Sequence, residues 1–216
     1  MLNNMNYKAL LFDLDGTILD NNTVYESAFR EVLKEIGGKT LIEPLPLMSS
    51  VGIGPNWSIL LDKYKVKTNR TTVDLTKETQ EEYLLNLGKV TVRPGFLDFV
   101  DFVRKQGVRL ALATSNERET VDICLKRFEL EDIFEKIITA EDVENLKPAP
   151  DIFFKAAEKL EALPIDCLVV EDGLAGVRGA HAAGMRVAYY VHDGDEVAKN
   201  EADVIFTSYL ELQDRV

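Results

Sequence analysis

Phe12-Asp13-Leu14-Asp15-Gly16-Thr17 is the stretch that decides how this chain folds. The apolar run Ala9-Leu10-Leu11 precedes it and predicts a buried strand that ends where the two carboxylates begin. Because side chains alternate along an extended backbone, Asp13 and Asp15 point to the same side. Two like charges this close repel each other unless a cation or a shared proton intervenes. A magnesium ion, which prefers oxygen ligands, is one cation that would offset this repulsion. The simpler interpretation is an acidic turn after a strand.

Length and composition predict one large soluble domain, or one domain with a smaller insert. The chain has 216 residues, of which 46% are hydrophobic and 29% are charged. Its formal net charge of −12 argues against nucleic acids and anionic membranes as partners, since both need a basic face. Small phosphorylated substrates stay compatible with this charge, because a bound metal and local cations can reverse the field inside a pocket.

The cysteines and the apolar segments indicate a cytoplasmic protein. The chain has two cysteines, Cys124 and Cys167, which form no CxxC pair, so buried structural thiols are favoured over metal or redox chemistry. No stretch is long and apolar enough to span a bilayer, and residues 1–6 lack a signal-peptide pattern. We therefore expect a reducing cytoplasm and, from the acidic surface, a monomer.

Residues 20–91 are predicted to form a small helical unit without strands. Its first helix is capped by Asn22 or Thr23 and ends at Gly37-Gly38. Prolines and glycines between Thr40 and Pro55 exclude a long regular helix there. Helical periodicity resumes over residues 57–61, and a third helix covers residues 73–87. The first helix has apolar positions at four-residue spacing: Val24, Ala28, Val32 and Ile36.

After residue 91, strands and helices alternate at short intervals. This pattern predicts an α/β fold, a doubly wound, Rossmann-like parallel sheet with helices on both faces. The opening strand must belong to the same sheet, so the helical unit is an insertion. We expect a core domain of residues 1–19 and 92–216 and a helical cap domain of residues 20–91, with hinges near Leu19-Asp20 and Thr91-Val92.

Polar residues follow several predicted strands, and ligands of open parallel sheets bind outside such carboxyl ends. Each residue also has an ordinary interpretation. Thr114 would cap a helix, Lys147 would be a solvated loop lysine, and Glu171-Asp172-Gly173 would be a turn. The four features, in chain order, are the pair Asp13 and Asp15, then Thr114-Ser115-Asn116, then Lys147, then the pair Glu171 and Asp172.

Together these residues resemble the motif set of the haloacid dehalogenase superfamily. Asp13 to Thr17 is similar to its DxDGT motif, Thr114 to its strand-ending Ser or Thr, and Lys147-Pro148 to its third motif. Residues 171–176 resemble its EDSxxG motif, with Gly173 in place of the Ser. The resemblance covers essentially the whole chain. The position and helical character of the cap resemble the subgroup that contains phosphoglycolate phosphatase and β-phosphoglucomutase.

The resemblance implies a role for each motif residue in phosphoryl transfer. Asp13 would be the nucleophile that forms an aspartyl-phosphate, and Asp15 would be the general acid and then the base for water. Thr114 would donate its hydroxyl to a phosphoryl oxygen, and the backbone N–H of Asn116 would serve the same phosphate. Lys147 would neutralise the charge of the nucleophile and the phosphoryl group.

The resemblance also implies a magnesium site. Asp13 would contribute its carboxylate, and Asp15 its backbone carbonyl, which leaves the Asp15 carboxyl group free. Asp172 would bind the ion directly, and Glu171 would bind it through water. Asp15 also favours phosphate esters over halides, because a halide leaves without a proton.

We therefore expect a magnesium-dependent phosphatase that hydrolyses a small phosphorylated metabolite. The first alternative is a sugar-phosphate mutase. β-Phosphoglucomutases carry an Arg where this chain has Pro55 and a Lys where it has Glu117, so both cations for a second phosphate are missing. Phosphonatases use a cap lysine to form a Schiff base, and no cap lysine here matches that context. A binding protein that lost activity is the third alternative, but the motif set is intact.

Substrate selection is expected to reside in the cap, with residues 52–57 facing the active site. Trp57 has two interpretations, packing between cap and core or stacking on substrate. Arg93, beside the hinge, is either a solvated charge or a substrate contact.

Overall fold

The computed structural model describes residues 7–38, 43–191 and 196–216. Two sequence-based expectations therefore concern residues outside these ranges. They are the lack of a signal-peptide pattern in residues 1–6 and the start of the irregular segment, residues 40–42. The strands are β1 (Ala9–Phe12), β2 (Leu19–Asp20), β3 (Thr91–Val92), β4 (Arg109–Ala113), β5 (Lys136–Ile138), β6 (Cys167–Glu171), β7 (Arg186–Tyr190) and β8 (Val204–Phe206). The helices are α1 (Asn22–Glu35), α2 (Ile53–Tyr64), α3 (Thr72–Leu85), α4 (Phe96–Lys105), α5 (Arg118–Arg127), α6 (Asp151–Lys159), α7 (Leu174–Ala182), α8 (Glu196–Glu201) and α9 (Tyr209–Gln213).

The main sheet has six parallel strands in the order β5-β4-β1-β6-β7-β8. Counted along the chain within this sheet, the order is third, second, first, fourth, fifth, sixth, which is the doubly wound arrangement. The predicted fold class is thus confirmed. The order reverses at β1, and a chain of this topology binds ligands at that point, outside the carboxyl ends of the strands.

Alternating side chains give the sheet two buried faces. Leu10 and Phe12 of β1 pack in one apolar cluster with helices α4, α5 and α9 and with the helical unit. Ala9 and Leu11 pack in a second cluster, with α6 and α7. Strands covered on both faces need apolar side chains at every position, which is why β1 reads as a continuous apolar run.

The helical unit follows β1 and is bounded by a two-stranded ribbon. β2 and β3 pair antiparallel, with Leu19 opposite Val92 and Asp20 opposite Thr91. The expectation of no strand within residues 20–91 is therefore wrong at its two ends, where strands of two residues are too short to show a pattern. Between them α3 packs against both α1 and α2.

Helix α2 begins earlier than its apolar periodicity indicated. It starts at Ile53 rather than Trp57, with Gly52 before it at φ 86° and Pro55 in its first turn. A proline is tolerated there because the first N–H groups of a helix have no partner inside the helix. No helix within the described residues is long and apolar enough to cross a bilayer.

Candidate active site

Three strands bring their carboxyl ends together at the point where the strand order reverses. Asp13 follows β1, Thr114 follows β4 and Asp172 follows β6, and β4 and β6 flank β1 on either side. All three side chains are buried. The topology therefore places the motif residues of distant sequence positions around one point.

Lys147 reaches this point from the loop before α6. Its Nζ donates to Oδ1 of Asp13 at 2.5 Å and to Oε1 of Glu171 at 2.6 Å. Burial by itself lowers the pKa of Lys147, but the two carboxylates outweigh burial and raise that pKa above its usual value. Lys147 is thus a permanent positive charge beside Asp13, and its interpretation as a solvated loop lysine is wrong.

Three carboxylates gather at this point, and two of them, Asp13 and Glu171, bind the Lys147 ammonium group. One oxygen each of Asp13, Glu171 and Asp172 lies within 4.8 Å of the others. Burial raises the pKa of Asp13 well above its usual value, Lys147 opposes the rise, and the neighbouring carboxylates add to it. Since three carboxyl groups outnumber the one ammonium group and every potential metal ligand is an oxygen atom, the residues fit a magnesium ion.

The orientation of Asp172 depends on the DxDGT turn. Thr17 Oγ1 donates to Oδ1 of Asp172 at 3.3 Å, and Asn22 Nδ2 donates to Oδ2 at 3.4 Å. Gly16 lies at φ 75°, and a Cβ there would sit 2.0 Å from Oδ2 of Asp172. Only glycine fits this position, both for its left-handed backbone and for the close approach.

Both oxygens of Glu171 are used by the protein. Oε1 accepts from Lys147, and Oε2 accepts from the backbone N–H groups of Asp172 and Gly173, at 2.9 and 3.0 Å, and from Ser50. Glu171 therefore orients Lys147, and water-mediated metal contact by Glu171 stays a prediction.

Asp15 is held apart from this cluster by two asparagine amides. Asn21 Nδ2 donates to Oδ1 at 2.6 Å, and Asn116 Nδ2 donates to Oδ2 at 2.5 Å. Burial raises the pKa of Asp15 to about 7, although the Asn21 hydrogen bond lowers it. A carboxyl group with such a pKa exchanges a proton readily near neutral pH.

Two stacked tyrosines from the helical unit, in α1 and α3, support these amides. Asn21 Nδ2 donates to the hydroxyl of Tyr83 and Asn116 Nδ2 to that of Tyr25, both at 2.9 Å, and the two rings stack at 3.9 Å. Asn21, Tyr25 and Tyr83 were not predicted as site residues, because nothing in their local sequence indicates contact with a distant carboxylate. Asn21 also occupies the N-cap position of α1 without a side-chain capping bond, so the expected cap by Asn22 or Thr23 is wrong.

Thr114 and Asn116 lie together at the end of β4. The backbone N–H of Asn116 donates to Oγ1 of Thr114 at 3.2 Å. That bond uses an oxygen lone pair of Thr114 and leaves its hydroxyl proton available for an acceptor. The predicted phosphate contacts of both residues stay predictions, and the side chain of Asn116 has the further contact with Asp15.

A cavity of about 250 Å³ opens above these residues. Its floor includes Asp13, Asp15 and Thr114. The side formed by the helical unit has apolar and aromatic residues, which are Tyr25, Phe29, Leu45, Leu47, Met48 and Ile53, and polar residues, which are Asn22, Glu26, Ser49, Ser50 and Asn56. The size suits a small molecule rather than a folded partner.

Trp57 and Arg93 do not reach the cavity. Trp57 is fully buried, its Nε1 donates to Oγ1 of Thr79 at 2.8 Å, and its ring packs on Phe29, with both partners in the helical unit. Arg93 is 8% exposed, donates to the backbone oxygen of Gly16 at 2.6 Å and covers the ring of Tyr190. Because neither residue lines the cavity, substrate stacking by Trp57 and substrate contact by Arg93 are wrong. The interpretation of Arg93 as a solvated charge is also wrong, because charge alone does not reveal a buried backbone acceptor.

We expect Trp57→Phe to destabilise the protein without changing substrate affinity. The substitution leaves Thr79 without its buried donor and removes part of a large side chain, which costs about 1–3 kcal/mol. Thermal or urea unfolding measures the loss, and KM for 4-nitrophenyl phosphate should stay within about twofold of wild type, since a distant cap residue adds no ground-state binding. A large rise in KM without loss of stability would place Trp57 at the substrate after all.

Comparisons with known proteins agree with this geometry. The family model for haloacid dehalogenase-like hydrolases matches residues 10–190. The chain belongs to the haloacid dehalogenase-like hydrolase family. Among its relatives, protein CbbY from Rhodobacter capsulatus is 32% identical over 204 residues, which is 85% of each chain. Fructose-1-phosphate phosphatase YqaB from Escherichia coli is 32% identical over 184 residues, covering 83% of this chain and 94% of the relative.

A solved relative of this haloacid dehalogenase-like hydrolase has the same overall fold. A mutant of CbbY from Rhodobacter sphaeroides, in complex with xylulose-(1,5)bisphosphate, superimposes with a TM-score of 0.84 at 25% identity. The match covers 95% of this chain and 96% of that one. The helical insert therefore occurs in a family member that binds a phosphorylated small molecule.

Proposed function

We propose that this hydrolase is a magnesium-dependent phosphatase of a small phosphorylated metabolite, acting through an aspartyl-phosphate on Asp13. The observation that carries the proposal is the unequal environment of two nearby carboxylates. Asp13 is paired with a permanent cation, Lys147, whereas Asp15 is held by two neutral amides and has a pKa of about 7. Groups whose environments differ in this way are suited to separate roles as nucleophile and proton donor.

The proposed reaction uses the chain's own groups in two steps. In the first, a carboxylate oxygen of Asp13 attacks phosphorus, the ester P–O bond breaks, and Asp15 gives its proton to the leaving oxygen. In the second, Asp15 takes a proton from water, the water oxygen attacks phosphorus, and Asp13 is released. Lys147 lowers the repulsion between the Asp13 carboxylate and the phosphoryl oxygens, and Thr114 donates to one of those oxygens.

Magnesium would be held by the Asp13 and Asp172 carboxylates and the Asp15 backbone carbonyl, with Glu171 beside them. When bound, it supplies positive charge for the phosphoryl oxygens. The cluster of three carboxylates, two of which bind the one Lys147 ammonium group, supports this part of the proposal.

Water is the favoured acceptor of the phosphoryl group. Among the described residues that line the cavity, none is a lysine or an arginine, so that wall offers no cation for a second phosphate. Pro55, in the first turn of α2, occupies the position at which β-phosphoglucomutases carry an arginine. This environment supports hydrolysis over mutase transfer.

We further propose that residues 20–91 act as a cap that opens and closes over the cavity. The cap contributes most of the cavity wall. The chain passes between core and cap twice, at β2 and at β3, which pair with each other. Opening there would admit substrate, and closure would exclude water from Asp13.

A panel of phosphomonoesters tests the proposed function. Sugar phosphates, phosphoglycolate and nucleotides should be assayed for phosphate release with magnesium present, and we expect at least one to be hydrolysed. Sugar phosphates are the first to try, because YqaB is named a fructose-1-phosphate phosphatase and the solved CbbY mutant is in complex with xylulose-(1,5)bisphosphate. If no panel member releases phosphate, the non-catalytic binding alternative gains support.

We expect chelation of divalent metal to abolish turnover. Treatment with EDTA should lower kcat by at least about 100-fold, because Lys147 alone cannot offset the phosphoryl charge, and added magnesium should restore it. Phosphate release from 4-nitrophenyl phosphate measures both. Full activity after chelation would contradict a metal-dependent mechanism.

A further inference from the structure

Ser50 is a cap side chain that donates to Glu171 of the catalytic cluster. This residue lies in the segment between α1 and α2, and its Oγ donates to Oε2 of Glu171 at 2.8 Å. The other oxygen of Glu171 accepts from Lys147, which in turn donates to Asp13. An unbroken chain of three hydrogen bonds therefore joins the cap to the proposed nucleophile.

The core holds the same cap residue from a second side. Ser115, directly after Thr114, donates its hydroxyl to the backbone oxygen of Ser50 at 2.8 Å. Ser50 itself has a left-handed backbone with φ 68°, a conformation that costs free energy in a non-glycine residue. The two hydrogen bonds to the core fix this conformation, which aims the Ser50 hydroxyl at Glu171.

Gly173 makes room for this contact. A Cβ built on Gly173 would lie 2.2 Å from Oγ of Ser50 and 2.8 Å from Cβ of Ser49. Any larger residue at position 173 would push the cap segment away. Gly173, the one departure from the EDSxxG pattern, thus coincides with a place where the cap approaches the core closely.

We propose that Ser50 is a positioning residue that acts on the reaction through Glu171 and Lys147, and that Gly173 is the space into which it docks. Docking of the cap segment completes the hydrogen bonds of Glu171, so that Lys147 is aligned on Asp13 when the cavity is closed. The inference rests on the proposed phosphatase function, because the effect it describes is on phosphoryl transfer at Asp13.

Ser50 substitutions test the inference by separating kcat from KM. Ser50→Gly removes the hydroxyl but suits the left-handed backbone, so folding should be preserved, and Ser50→Ala removes only the hydroxyl. With 4-nitrophenyl phosphate we expect both to lower kcat by roughly tenfold at nearly unchanged KM, the size of a lost hydrogen bond to a charged group. Ser58→Ala, at an exposed serine of α2, is the matched control and should behave as wild type.

Three kinetic outcomes would overturn the inference. They are a kcat within about twofold of wild type for Ser50→Gly, a rise in KM at constant kcat, and an equal loss in Ser58→Ala. The second would make Ser50 a substrate contact instead. If Ser50→Ala fails to fold, Ser50→Gly alone decides.

A double-mutant cycle tests the role of Gly173. Gly173→Ala should lower kcat in the wild-type background and have a smaller effect in the Ser50→Gly background, since the nearest clashing atom is then gone. Effects that simply multiply would show that the two positions act independently and would overturn the docking contact.

Hydrogen exchange keeps the inference separate from the proposed function. Amides of residues 48–52 should exchange faster in Ser50→Gly and in Gly173→Ala than in wild type, whether or not a substrate is known. If wild type hydrolyses no phosphomonoester but exchange changes as expected, the proposed function fails while the docking contact stands. Unchanged exchange in both variants would overturn the contact.

Discussion

Asp13→Asn is expected to reduce turnover of 4-nitrophenyl phosphate to background, a loss of at least about 10⁴-fold. The amide has nearly the shape of the carboxylate and can still accept a hydrogen bond from Lys147, so the cluster should keep its geometry. It lacks the anionic oxygen that attacks phosphorus, however, and the other carboxylate beside Lys147, that of Glu171, has both oxygens hydrogen-bonded within the protein. The loss should appear in kcat, because the missing interaction belongs to the bond-forming step.

The matched control is Asp122→Asn, at an exposed position of α5. It makes the same chemical change away from the site and should leave kcat and KM at wild-type values. Retained magnesium-dependent hydrolysis in Asp13→Asn, at more than a small fraction of the wild-type rate, would contradict the nucleophile assignment.

Lys147→Met is expected to lower both activity and stability. The ammonium group is fully buried between the carboxylates of Asp13 and Glu171. Its removal leaves buried negative charge without a partner, which costs about 3–5 kcal/mol of folding free energy unless Asp13 takes up a proton. The raised pKa of Asp13, caused mainly by burial, makes that uptake easier, and a protonated Asp13 cannot attack phosphorus. We therefore expect kcat to fall about 10²–10³-fold even where the variant folds.

Urea unfolding and phosphate release at saturating substrate measure the two losses. Lys126→Met, at an exposed lysine of α5, is the control and should change neither by much. A Lys147→Met protein with wild-type stability and wild-type kcat would contradict the proposed neutralising role. Magnesium at high concentration should recover only part of the activity, because the metal cannot replace the hydrogen bond to Glu171.

The sequence reveals those parts of the molecule that depend on local patterns. β1 is a continuous apolar run, and β4 and β6 are apolar except for Arg109 and Glu171 at their ends, because the sheet is covered on both faces. The polar residues that follow these strands therefore lie at one sheet edge. The start of α2 was missed because glycine and proline in its first turn satisfy helix geometry while interrupting its periodicity. The two-residue strands β2 and β3 carry no pattern at all.

Contacts between distant residues account for what the sequence could not predict. Asn21 carries no local signal of a site residue, yet its side chain joins Asp15 to Tyr83, 62 residues farther along the chain. Arg93 looks like a surface charge, yet it is buried against the backbone of the DxDGT turn. Gly173 looks like a minor exchange in a motif, and its meaning depends on Ser50, which approaches it from the other domain of the proposed pair. Such roles follow from packing between elements, which composition and periodicity do not record.

The central claim is that Asp13 carries the phosphoryl group, and it is tested most directly in Asp15→Ala with 4-nitrophenyl phosphate and magnesium. Nitrophenolate leaves without a proton, so the first step should proceed, whereas the second step lacks the base that activates water. We predict a burst of one nitrophenolate per active site, and acid-quenched peptides in which mass spectrometry finds the phosphoryl group on Asp13. A protein that turns over without a burst, or that carries the phosphoryl group on any residue other than Asp13, would contradict the account.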